Sequence, residues 1–86
     1  MFSGTDEKII LKCGSELVGV IIDRFGKDII IMPVDDQHFI THVNVTVSPQ
    51  LFGWLAALGV SVEIISPAYV RESYRTYINK IAEKYN

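Results

Sequence analysis

Cysteine is nearly missing from this sequence. Cys13 is the single one, which excludes an internal disulfide framework and makes a reducing cytoplasm the expected compartment. No apolar run approaches the roughly 20 residues that cross a bilayer, so no membrane-spanning helix is expected. The N-terminus, MFSGTDEK, lacks a basic stretch leading into an apolar one and does not read as a signal peptide. An excess of positive charge is lacking too. The formal net charge is -2, which argues against a general binder of nucleic acid or anionic membranes. Low-complexity tracts, internal repeats and a glycine-rich phosphate loop are also absent.

Apolar residues are plentiful instead. Of 86 residues, 49% are hydrophobic, a high share for one small domain. A chain this short buries only roughly 60% of the surface it exposes unfolded. Some apolar side chains are therefore expected outside, facing a partner. Residues 1–6 read as disordered or boundary residues and 7–86 as the domain.

Punctuation sets the secondary structure. Ser48-Pro49 and Ser66-Pro67 each read as a strand running into a capped helix. Serine accepts from the free N–H groups of a first turn, and proline suits the next position. Gly59 between them ends one helix and restarts the chain as a strand. Residues 15–25 have helical spacing in Leu17, Val18, Ile21, Ile22 and Phe25, with Gly26 as a stop. The sequence thus predicts strands over 7–13, 28–33, 38–48 and 60–65, and helices over 15–25, 49–58 and 67–84. Pro33 places the second strand at a sheet edge, and Asp35-Asp36-Gln37 reads as a hairpin loop. The order gives an α+β fold: a ferredoxin-like βαββαβ antiparallel sheet with helices on one face and an additional C-terminal helix.

Alternation assigns the faces. Ile9, Leu11 and Cys13 share the core side with Phe39, Thr41, Val43, Val45 and Val47, and with Val60, Val62 and Ile64. Trp54 joins Leu51, Leu55 and Leu58 as a core residue. The opposite sheet face carries Lys8, Ile10, Lys12, His42, Asn44, Thr46, Ser61 and Glu63, and reads as mostly polar with Ile10 and Ile65 as exceptions.

Candidate chemistry is thin. His38 and His42 have a zinc-like spacing, but on a strand four residues span roughly 13 Å, too far for one metal. Asp35 and Asp36 fit a turn better than a ligand set. Cys13 has no sequence-near base and reads as inert and buried. Gly14 and Ser15 offer N–H groups that ordinary capping explains. Asp23 and Arg24 read as a solvated helix face. The open sheet face lacks the aromatic residues on which RNA binders stack bases. No catalysis, cofactor or metal is expected.

The last helix is the strongest candidate for function. Val70, Tyr74, Tyr77, Ile78, Ile81 and Tyr85 form one stripe. Tyrosine combines apolar area with a hydroxyl, which suits a protein contact. That stripe matches a mostly polar sheet face poorly, so Tyr74, Tyr77, Ile78, Ile81 and Tyr85 are the expected protein-interaction residues. The same helix has a local charge balance of +2. Arg71 and Arg75 on it are candidates for contact with an acidic partner or nucleic acid.

A family resemblance joins these readings. Val47-Ser48-Pro49, Phe52-Gly53-Trp54-Leu55, Leu58-Gly59 and Val62-Glu63-Ile64-Ile65-Ser66-Pro67 resemble the C-terminal extension (WCX) domain of WYL-domain transcriptional regulators. Asp23-Arg24-Phe25-Gly26 fits the start of the same module, and the likeness spans about Lys8 to Tyr85. The resemblance implies a non-enzymatic regulatory and dimerisation module of a bacterial transcriptional regulator, cytoplasmic and homodimeric. It implies a fragment of a longer DNA-binding protein whose own WYL and helix-turn-helix domains are its partners. DNA would be reached only through those missing domains. This sequence has no Trp-Tyr-Leu triplet, and Trp54 is not that tryptophan, so the sensing and DNA-reading residues have no positions here. The alternative reading is a ferredoxin-like sensor domain that binds a small ligand.

Overall fold

β1 (Thr5–Gly14) is the centre of the structure, a computed structural model that describes residues 5–86. A 3-10 turn, Ser15–Leu17, leads into α1 (Val18–Phe25), followed by β2 (Ile30–Asp35) and β3 (His38–Val47). Then come α2 (Pro49–Ala57), a second 3-10 turn at Gly59–Ser61, β4 (Val62–Ser66) and α3 (Ala68–Glu83). The strands lie in the order β2-β3-β1-β4, with every neighbouring pair antiparallel. That is the ferredoxin-like arrangement with one added C-terminal helix. Pro33, which has no N–H to give to a ladder, lies on edge strand β2.

Local chemistry explains the boundaries. Ser48 caps α2 by accepting the Leu51 N–H at 3.2 Å. The helix ends at Gly59, whose φ of +68 is a left-handed value that favours glycine. Gly26, at φ +91, ends α1. Asp35 Oδ1 accepts the Gln37 N–H at 2.7 Å and so closes the hairpin between β2 and β3. Ser15 donates its own N–H to the Gln37 carbonyl at 2.8 Å, tying the end of β1 to that hairpin.

Several expectations are corrected. Thr5 and Asp6, placed ahead of the domain by the sequence, pair with Val47 and Thr46; the rest of the expected boundary segment, residues 1–4, lies outside the described residues. The alternation that marks β1 is clear only from Glu7, because Thr5 and Asp6 carry no apolar signal. Ser66 does not cap the last helix. It stays in β4 opposite Ile10, and Pro67 occupies the N-cap position, its carbonyl accepting the Val70 and Arg71 N–H groups at 3.1 and 3.2 Å. Val60, expected in the core, sits in the second 3-10 turn and is fully exposed.

The core lies between one sheet face and the helices. Ile9, Leu11 and Cys13 of β1 meet Phe39 and Val43 of β3, with Ile21, Leu51, Phe52 and Leu55 from α1 and α2. Thr41 is the one buried polar residue among those described, and its hydroxyl donates to the Ile30 carbonyl at 2.7 Å. Trp54 is half-buried, against the expectation of a core position. Its ring meets Phe25 edge-on at 5.5 Å, and the Arg24 guanidinium lies 5.5 Å from its centroid. Phe52 takes the buried place that the helical spacing assigned to Trp54.

Candidate interaction surface

α3 packs beside α2 and along the free edge of β4, on the same side of the sheet as the core. Its first half is fixed by four residues. Val70 is fully buried. Tyr69 donates its hydroxyl to the Glu7 carboxylate on β1. Arg71 Nη1 donates to Glu63 Oε2 and to the Ile64 carbonyl, each at 3.0 Å. Tyr74 sets its ring 5.4 Å from that of Phe52. Burial raises the phenol pKa of Tyr74, helped by the neighbouring Tyr77.

The tyrosine-rich stripe therefore divides. Tyr74 and Tyr77 are used within the chain, with Tyr77 also stacking on Phe52 at 5.3 Å and 56°. Ile78, Ile81 and Tyr85 stay 40%, 47% and 86% exposed. A helix of 16 residues is about 24 Å long, and its packing on the core ends at Tyr77. Beyond Tyr77 the helix presents Ile78 and Ile81 outward, and Tyr85 follows just past its end.

The arginines also divide. Arg71 clamps α3 to the β4 edge. Among the described residues Arg75 pairs only with Glu72 on its own helix, at 3.6 Å, and it stays largely exposed. Between the two elements runs a groove of about 280 Å³ with Val62, Ile64, Tyr74 and Ile78 on its walls and both arginines at its rim. The sequence missed Phe52 as the residue that receives both tyrosines. It appears there only within the stretch Phe52-Gly53-Trp54-Leu55 that carries the family resemblance.

A second, polar hollow of about 420 Å³ opens at the hairpin end of the sheet. Glu16 Oε2 accepts from Ser61 Oγ at 2.7 Å. That bond, with a backbone N–H, holds the Glu16 carboxyl below its ordinary pKa. His38 Nδ1 lies 3.0 Å from Asp35 Oδ1. The Asp35 carboxyl is lowered by the Gln37 N–H first and by His38 second. His38 and His42 sit four residues apart on β3, as the strand reading required. Among the described residues no group of three or more His, Cys, Asp or Glu side chains is placed to hold a metal. Cys13 is fully buried, and burial, with the nearby Glu16 charge, pushes its thiol up to about 11. Among the described residues, no helix is long and apolar enough to cross a membrane.

Comparison with known proteins gives one result. A family model described as the WCX domain matches residues 5–82. No curated protein and no solved structure matches the chain.

Proposed function

The chain belongs to the WCX domain family, and from that membership we propose that it is the C-terminal regulatory and dimerisation module of a bacterial WYL-type transcriptional regulator. In this reading it is not an enzyme and takes no cofactor. It works in the cytoplasm as part of a longer DNA-binding protein, whose WYL and helix-turn-helix domains do the sensing and the reading.

The observation that carries the dimer reading is the division of α3. Ile78, Ile81 and Tyr85 remain exposed beyond Tyr77, the last α3 residue packed on the core. Apolar side chains aligned on one helix face are stabilised by a second apolar surface. A two-fold homodimer is the commonest way to supply one. Arg75, with its long exposed side chain, stands beside Ile78 on the groove and would meet an acidic group at the rim of that contact. Sedimentation equilibrium of the domain tests the reading. A concentration-dependent dimer is expected, and a monomer at every concentration overturns it.

A further inference from the structure

β2 covers only part of β3. Its ladder runs from Asp35 opposite His38 to Ile30 opposite His42 and stops there. The chain arrives from α1 through residues 26–29 and joins the sheet only at Ile30. β3 continues to Val47, paired on its other side with β1 as far as Thr5. Over residues 43–47 the outer side of β3 is therefore an edge of the sheet. In such a strand the backbone N–H and C=O groups of every second residue turn to the same side. Among the described residues, nothing bonds to those that turn outward here.

The outer strands are guarded. Pro33 removes an N–H from β2. On β4 the Arg71 guanidinium occupies the Ile64 carbonyl, and α3 packs alongside. The open stretch of β3 reads Val-Asn-Val-Thr-Val. It is mostly β-branched, with no proline, glycine or charge to keep another strand away. Two hollows of about 330 Å³ each follow this edge and share Phe25 and Asn44. The first touches residues 44–46, with Phe25, Val45 and Leu51 on its walls and the exposed Arg24 and Gln50 beside them. The second touches residues 42–44.

We propose that this edge takes an extended peptide segment of a partner protein as an added strand. Backbone complementarity selects the occupant. A strand offers N–H and C=O groups at the spacing that β3 leaves unpaired, whereas a helix satisfies its own. Five residues of strand span about 16 Å. The residue opposite Val45 sends its side chain to the core face, into the first hollow against Phe25 and Leu51, which suits valine, isoleucine or leucine. Its neighbours turn to the open face beside Asn44 and Thr46, which suits polar residues. Charge selects nothing here. Arg24 lines the first hollow while Asp6 holds the Thr46 hydroxyl, and Lys8 and Asp28 both line the second. Ile78, Ile81 and Tyr85 line neither hollow, so the site is separate from the proposed dimer contact.

The test is titration of the isotope-labelled domain with an uncharged synthetic peptide of about seven residues, alternating valine and threonine. Two N-methylated isomers of it keep every side chain. One carries the methyl groups on the amides of one edge, the other on the amides of the opposite edge. The parent peptide is expected to shift the amides of residues 43–47 most and to slow their hydrogen exchange. One isomer should lose at least about tenfold in affinity, and the other should bind as the parent peptide does, because only one edge of an added strand faces β3. Isomers that bind alike, shifts centred on β2, β4 or α3, or no shift at about 1 mM peptide overturn the proposal. Dissociation of a dimer on adding the peptide, read by sedimentation, would assign the edge to a second copy and overturn it as well.

Discussion

Arg71 and Glu63 meet at 3.0 Å across the free edge of β4, and the same guanidinium nitrogen holds the Ile64 carbonyl at 3.0 Å. One side chain thus fixes the start of α3, occupies an acceptor on an edge strand, and pairs with Glu63, which stands opposite Lys12. The clamp links the placement of the last helix to the charge of the open sheet face.

Removing the clamp has a predicted cost. Arg71→Ala should destabilise the domain by about 1 kcal/mol, because the ion pair is half-exposed and only the carbonyl contact is partly buried. Arg71→Lys should recover less than half, since the lysine nitrogen stands one bond closer to the backbone and falls short of the two acceptors that Nη1 reaches. Urea denaturation of the three proteins decides this. A Lys variant as stable as the parent contradicts the clamp.

The core-packed and outward residues of α3 should respond differently to truncation. Tyr77→Ala removes a ring packed on Phe52 and should cost about 2 kcal/mol, below the loss for a fully buried aromatic. Ile81→Ala lies beyond the core and should stay within about 0.5 kcal/mol in the monomer at low concentration. Thermal unfolding of both variants gives the comparison, and similar losses would mean that the helix packs along its whole length.

Glycine substitutions separate permissive from required positions. A Cβ on Gly19 meets nothing within 4 Å, and one on Gly53 meets only the Tyr77 hydroxyl at 4.0 Å. Gly53→Ala lies in the interior of α2 and should stabilise the domain by about 0.5–1 kcal/mol. Gly59→Ala must hold φ +68 and should destabilise by about 1 kcal/mol. Chemical denaturation of the pair checks both signs.

The Cys13 thiol should be silent in the folded state. Its folded pKa of about 11 exceeds the ordinary thiol value of about 8.5. Above that ordinary value the unfolded chain loses the proton while the folded chain keeps it, so stability falls as pH rises toward 11. The carboxyl of Glu16 has the opposite sign. It is lowered in the folded state, so its contribution is complete above the ordinary carboxylate range and is lost as pH falls through the folded value. A thiol-selective disulfide reagent should label Cys13 only on unfolding, and Ser61→Ala should raise the Glu16 pKa in an NMR titration. Fast labelling of native protein, or an unmoved Glu16, contradicts these assignments.

The sequence was legible where one residue does one local job. Gly26, Gly59 and Ser48-Pro49 mark turns and a cap by backbone chemistry alone, and β3 alternates cleanly because one of its faces is buried. It was misleading where tertiary contacts decide. Ser66-Pro67 has the letters of a cap, yet pairing with Ile10 holds Ser66 in the sheet. Val60 has strand propensity, but the chain turns after Gly59 and leaves it in solvent. The α3 stripe was visible as a periodicity. Where the core stops using it depends on Phe52, which contacts Tyr74 and Tyr77 across two helices and leaves no trace in local spacing.

The dimer contact rests on the outward residues that follow Tyr77, and one paired measurement tests it most directly. Ile78→Glu with Ile81→Glu places charges on the outward residues and leaves Tyr74 and Tyr77 intact. Sedimentation equilibrium should show a dimer for the parent and a monomer for the double variant, with the variant's circular dichroism and unfolding at low concentration unchanged. A parent that is monomeric throughout, or a variant that still dimerises, would contradict the assignment of this surface.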